Sequence, residues 1–231
     1  MGFKNRSYDE ELMDDLESSG EVIEQTLREL ETINRLLGGN QVTTNGLNAL
    51  TKNDSAKTIT IADLGCGGGD ILKLVSKWAS KKGKSVRLIG FDANPHIIAY
   101  AQKNCSAFDN ITFEVQDIFS EEFKERQFDI IICTLFTHHF HENDLTRIFK
   151  QFKGQAKLGV VINDLHRHWL AYYSIKLLTQ LFSKSEMVKY DGPLSVKRAF
   201  TRNELKSILQ NAEISSYQLA WKWAFRWQLV F

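Results

Sequence analysis

The chain has 231 residues, 43% of them hydrophobic and 25% charged, and a formal net charge of +1. Such a length and mix suit one generous globular domain rather than two, and a near-neutral balance gives no reason to expect nucleic acid as a partner. Cys66, Cys105 and Cys133 are odd in number and lack C-x-x-C spacing, which argues against a disulfide framework or a zinc site and suits a reducing, cytoplasmic setting.

No secretory signal is expected, and no apolar run approaches the roughly 20 residues of a membrane span. Charge is placed unevenly. Asp9 to Glu31 is mostly acidic, and Arg147 to Arg226 holds most of the excess Lys and Arg. That is either two solvated faces or an acidic N-terminal segment folding back on a basic C-terminal half.

The first periodic segment is helical. Ser18 and Glu21 have capping-box spacing, Ile23, Leu27, Leu30, Ile33 or Asn34, and Leu37 recur on one face, and Gly38-Gly39-Asn40 ends the run. Gln41 to Lys57 is polar and aperiodic and reads as a linker, so residues 1–57 form a helical lid with its linker. From residue 58 to 231 short apolar runs alternate with helical segments. Strands are expected at Ile59–Ala62, Val86–Phe91, Ile111–Val115, Asp129–Leu135 and Gly159–Ile162. Helices are expected at Asp70–Lys81, Pro95–Asn104 and Leu145–Phe152. This order describes a doubly wound, Rossmann-like α/β domain with a mostly parallel sheet. Trp169 to Phe182 adds an apolar helix, within an insertion over about 166–200. It is either a packing helix or a lid over an apolar pocket. From Trp221 to Phe231 aromatic and apolar residues alternate with Lys222, Arg226 and Gln228, a period of two that means strand with one aromatic face. It is either a final strand pair packing on helices or an aromatic wall for a planar substrate.

Gly65, Gly67, Gly68 and Gly69 lie where the first strand meets the first helix, at the sheet edge where open α/β folds bind ligands. The dinucleotide fingerprint would need glycine at position 70, which is Asp70, and Asp63 stands just before the turn. An acidic loop suits a cationic ligand such as S-adenosylmethionine better than a pyrophosphate. Asp92, followed by Ala93, ends the second strand and can accept from both ribose hydroxyls. Asp117, after the third strand, can meet an adenine amino group with Ile118 against the ring.

Asp63-x-Gly65-x-Gly67, Asp92 and Asp117-Ile118 resemble the successive motifs of class I S-adenosylmethionine-dependent methyltransferases, over roughly residues 58–165. The resemblance implies a seven-stranded sheet with an antiparallel last strand. It also implies that the loop, with Cys66, meets the methionine moiety, that Asp92 meets the ribose, and that Thr134 after strand four completes the cofactor site. Glu11-Leu12-Met13-Asp14-Asp15, Ile33-Asn34-Arg35-Leu36-Leu37 and Asp191 to Thr201 are similar to a bacterial small-molecule methyltransferase subgroup.

Two histidine-bearing loops follow strands four and five, Thr137-His138-His139-Phe140-His141 and Asn163-Asp164-Leu165-His166-Arg167-His168. If the acceptor is a hydroxyl, a base must take its proton, and histidine titrates in the right range. His138 or His139 is the expected base, with His166 in support; the bland alternative is a loop-fixing histidine. A metal on His139/His141 or His166/His168 with Asp164 lacks a closed ligand set, and none is expected. The reading is therefore methyl transfer to an oxygen, or else a carbon, of a small aromatic or polyketide-like acceptor. The alternatives are a nicotinamide-dependent (NAD(P)) oxidoreductase and a non-catalytic cofactor-binding module. Nothing in the pattern specifies an oligomer.

Overall fold

Strands that are apolar along their whole length need cover on both faces, and the computed structural model, which describes residues 3–52 and 58–231, provides it. A 3-10 turn at Leu12–Asp14 precedes α1 (Gly20–Leu36) and α2 (Gly39–Leu50). Then come β1 (Ile59–Leu64), α3 (Asp70–Lys81), β2 (Val86–Asp92), α4 (Pro95–Asn104), β3 (Ile111–Val115) and α5 (Glu121–Lys124). β4 (Phe128–Thr134) leads through a 3-10 turn at Thr137–His139 into α6 (Glu142–Gln155) and β5 (Ala156–Leu165). The chain ends with α7 (Trp169–Phe182), α8 (Glu186–Arg198), α9 (Arg202–Asn211), β6 (Gln218–Lys222) and β7 (Arg226–Val230).

The seven strands form one sheet in the order β3-β2-β1-β4-β5-β7-β6. β1 to β5 pair in parallel, and β7 runs antiparallel to both β5 and β6. Neighbouring residues of one strand serve opposite cores. Ala62, Ile131 and Val160 pack with Phe149, Phe152 and Leu209 on the α6/α9 side. Ile61, Ile132 and Val161 pack with Leu47, Leu72 and Trp78 on the α2/α3 side. Strand order reverses between β1 and β4, which opens a crevice beyond their carboxyl ends.

Three expectations need correction. The Ser18–Glu21 capping box is not made; α1 starts after Ser19, whose side chain caps nothing. The stretch read as a linker from Gln41 is largely α2, and only 53–57 of it lies outside the described residues. Polar composition hid this helix because Thr43 and Gly46 are themselves buried, Gly46 lying against Val161 of β5. The C-terminal alternation is broken by a turn in which Ala224 (φ 59°) and Phe225 (φ 55°) are left-handed. Arg226 and Gln228, which alternate with the aromatic residues, are buried because α2 covers their side.

The acidic N-terminal segment does fold back. Asp191 of α8 accepts from the amides of Leu12 (2.8 Å) and Met13 (3.1 Å), and Ser195 donates to Glu11 (2.9 Å). Arg198 donates to Asp14 at 2.6 Å. The 3-10 turn, α1, α7 and α8 thereby form a helical cap over the carboxyl edge of the sheet.

Candidate active site

The turn after β1 is tight, with left-handed φ at Gly65 (66°), Gly67 (50°) and Gly69 (76°). A Cβ at Gly65 would lie 2.1 Å from the Phe136 ring, so that ring closes directly onto the loop. Asp92 fixes the loop from β2: Oδ2 accepts from the Gly67 amide (3.4 Å) and Oδ1 from the Asn94 amide (3.0 Å). Asp63 is 1% exposed, and neither carboxylate oxygen has a hydrogen-bond partner.

Burial drives the local electrostatics. It pushes the Asp63 carboxyl well above its usual range, aided by Asp70 and Asp92. It takes Asp70 to about 6, aided by Glu31. Burial raises Asp92 as well, against the Asn94 and Gly67 amides. Burial also pushes the Cys66 thiol well up, away from the thiolate form. Unsatisfied carboxylates beside open backbone await hydrogen-bond donors and positive charge.

All of Asp63, Gly65, Cys66, Gly67, Asp92, Ala93, Asp117, Ile118 and Thr134 line one cavity of about 680 Å³. Asp117 is exposed and caps the Phe119 amide at 2.9 Å, whereas Ile118 is buried. Thr134 shares a hydroxyl contact of 3.1 Å with Thr43.

At the other end of the cavity β4 exits through Leu135, which is left-handed (φ 54°) with its amide on Asn163 O at 2.9 Å. That turn aims the histidine loop at the cavity. His138 is 2% exposed, and its Nδ1 is 2.7 Å from Asp164 Oδ1. Asp164 also accepts from the Thr137 hydroxyl (2.6 Å) and the His138 amide (3.1 Å). Burial works to raise the Asp164 carboxyl, but the His138 ring and the Thr137 hydroxyl hold it well below the usual range. A carboxylate on Nδ1 leaves Nε2 as the acceptor nitrogen. That Nε2 has no hydrogen-bond partner and faces Glu11 Oε1, also without one, across 3.6 Å. Burial raises the Glu11 carboxyl to about 7 against the pull of His139 and Arg198.

His139 lines the cavity too, with Nδ1 2.5 Å from Asp14 Oδ1. Arg198 and Arg6 clamp the loop backbone: Arg198 donates to His139 O (2.8 Å), and Arg6 to His138 O (3.0 Å) and Phe140 O (3.1 Å).

His166 does not join them. It is absent from the cavity wall, its ring lies 5.0 Å from Trp227, and burial lowers its pKa. Asp164 is held by the histidine loop, whereas β5 has ended at Leu165 and the chain at His166 runs on to bridge Phe200. His168 caps α7 and His141 stacks on Tyr8, so neither supplies the second imidazole of a metal pair. Glu11, His138 and His139 do bring ligand atoms within 4.8 Å of one another, but Arg198 Nε, 3.6 Å from Glu11 Oε1, already puts a cation there.

Sequence reasoning missed Glu11, Asp14, Arg198 and Arg226 as members of the cavity and its frame. The signal was in the subgroup segments around Glu11 and Asp191, which meet in space. α7 contributes Ala171, Ser174, Ile175 and Leu178 to the cavity, and the hairpin contributes Trp221, Trp223 and Phe225. The aromatic C-terminus is thus both a strand pair and a wall.

A family model described as "Methyltransferase domain" matches residues 55–213. The chain is 23% identical over 185 residues to a carboxy-S-adenosyl-L-methionine synthase of Helicobacter pylori, covering 75% of each chain. Its fold is similar to that of an O-methyltransferase family protein from Burkholderia thailandensis (TM-score 0.68, 13% identity), over 97% of this chain and 64% of that one. It is also similar to human N-acetylserotonin methyltransferase in complex with SAM (TM-score 0.62, 18% identity), over 98% and 62%.

Proposed function

Because the chain belongs to the methyltransferase-domain family, we propose that it transfers a methyl group from S-adenosylmethionine to an oxygen of a small aromatic or polyketide-like molecule. The nicotinamide reading has no support in that family, and Asp70 still stands where its third glycine belongs. S-adenosylmethionine, when bound, supplies a methyl group on a cationic sulfur open to in-line attack.

The residues fit such a cofactor. Asp63 offers two unpartnered, buried oxygens to cationic or donor groups, and Gly65 and Gly67 leave backbone exposed to the cavity. Asp92 takes the ribose hydroxyls, and Asp117 with Ile118 takes the adenine.

The observation that carries the choice of oxygen is His138, whose Nε2 is buried, unpartnered and on the cavity wall. An acceptor hydroxyl donating to Nε2 gives that nitrogen the partner it lacks. His138 removes the hydroxyl proton, and Asp164 on Nδ1 stabilises the imidazolium that forms. Glu11 borders the same spot, with Arg198 Nε 3.6 Å from its Oε1. α7 and the Trp221–Phe225 turn shield the acceptor from water, as a lid does.

Labelled methyl transfer from S-adenosylmethionine onto a panel of phenols, catechols and polyketides tests this. His138→Ala should abolish O-methylation while sparing affinity for S-adenosylhomocysteine. Full activity in His138→Ala, His139→Ala and the double variant would reject a histidine base, and label on carbon alone would reject the oxygen assignment.

A further inference from the structure

Arg226 is a cation buried without a carboxylate. It is 2% exposed, its hydrogen bond runs from Nη1 to Asn163 Oδ1 at 3.3 Å, and Nε has no partner. No described carboxylate forms an ion pair with it. Burial pushes the guanidinium down to about 10, opposed by Asp164 at a distance. Interiors do not hold such a charge for stability, because burying an uncompensated ion is costly. Its counter-charge therefore comes with a ligand, and Arg226 lines the same cavity as the glycine loop.

Sheet register says where that ligand lies. Thr134 pairs with Asn163, and Leu165 with Arg226, so these positions share the face of the sheet that α2 covers. Asp63 pairs with Ile132, two residues before Thr134, and belongs to the same face. The row begins at a buried carboxylate without hydrogen-bond partners on β1 and ends on β7 at a buried guanidinium without a carboxylate. Thr134, Thr43 and Asn163 link the middle through hydroxyl and amide contacts of 3.0–3.1 Å. Reaching Asn163 brings the guanidinium back over β5, two inter-strand spacings (about 10 Å) from the strand of Asp63.

Local packing serves this placement. Gly39 lacks a Cβ where one would lie 2.7 Å from Arg226 Cζ and 1.9 Å from Asn34 Oδ1, which is itself buried and unpartnered. Asn34 reaches on toward Asp70 at the head of α3. The guanidinium thus lies near the cofactor loop and on the opposite face of the sheet from His138 and Asp164.

We propose that Arg226 holds the carboxylate of the cofactor's amino-acid end while Asp63 faces its ammonium, so that the two buried charges together read a zwitterion. The inference rests on the S-adenosylmethionine reading above and adds to it a residue that neither the glycine loop nor the family motifs contain. An acidic acceptor on Arg226 is the competing occupant, and it gives the opposite result below.

The test is calorimetric binding of S-adenosylhomocysteine and of its decarboxylated analogue, which keeps the ammonium and lacks the carboxylate. The wild type should bind the homocysteine about ten- to a hundredfold tighter, as expected of a charge-assisted pair. Arg226→Gln and Arg226→Met should bind the two ligands alike. Without ligand, both variants should melt at or above the wild-type temperature, since an uncompensated charge has been removed. Equal wild-type affinity for the two ligands, or discrimination retained in both variants, would overturn the subsite alone. Absence of any S-adenosylhomocysteine binding to the wild type would overturn the cofactor reading and the subsite with it.

Discussion

His138 Nδ1 and Asp164 Oδ1 stand 2.7 Å apart, with each side chain 2% exposed. In so dry a setting the carboxylate decides which ring nitrogen carries the proton, and therefore which one faces the cavity. Asp164→Asn keeps the shape but presents a neutral amide. Methyl transfer should fall by about 10²–10⁴-fold, with affinity for S-adenosylhomocysteine unchanged. Single-turnover kinetics beside calorimetry would check this; turnover within a factor of two of wild type would contradict it.

Asp92 accepts from the Gly67 amide and, in the proposed function, takes the ribose as well. Asp92→Ala should lose at least one charge-assisted hydrogen bond, about 1.5–3 kcal/mol, and weaken cofactor binding by roughly ten- to a hundredfold. Isothermal titration reads this directly. Unchanged affinity would remove Asp92 from the site.

Glu11 makes stability depend on pH with an uncommon sign. Burial raises its carboxyl to about 7 from an ordinary 4.5. Between those values the folded chain binds a proton that the unfolded chain has released, so this group's contribution to stability declines as pH rises through that window. Above about 7 the full penalty is present; below 4.5 none is. Glu11→Gln should therefore be more stable than wild type at pH 8, with the gap closing toward pH 4. Urea melts across pH would show it, and a gap that widened on acidification would refute it.

Gly46 of α2 sits where a Cβ would come 2.4 Å from Val161 Cγ1. Gly46→Ala should overpack the α2–β5 contact and cost about 1–3 kcal/mol, lowering Tm by roughly 2–4 °C per kcal/mol for a chain of this size. Differential scanning calorimetry would measure it. An unchanged or higher Tm would mean that α2 packs less closely than described.

The sheet was legible because its signals are local. Period and apolar runs placed β1 to β4, and the helices α3, α4 and α7, at or close to their observed bounds, whereas β5 extends three residues beyond the expected Gly159–Ile162 at each end. Asp63, the glycine turn and Asp92 were legible because strand–turn–helix order puts them at one edge. α2 was not, since Thr43 and Gly46 are buried by tertiary packing that composition cannot reveal. Nor was the choice among histidines. His138 and His166 have equivalent loop positions, and tertiary contacts separate a ring in the cavity from one against Trp227: Asp164 holds the His138 ring, and the chain at His166 bridges Phe200. The burial of Arg226 was not legible either, since the cover on its face comes from a helix far away in sequence.

The tethers between the N-terminal turn and α8 join residues as much as 184 positions apart, as in the bond from Arg198 to Asp14. Contacts of that span close long loops, whose entropy is recovered only after the intervening chain is in place. Glu11 meets His138 only once both ends of the molecule have docked on a finished sheet. The proposed site is therefore expected to be completed late in folding and, by the same reasoning, to be the first feature lost when the cap opens locally.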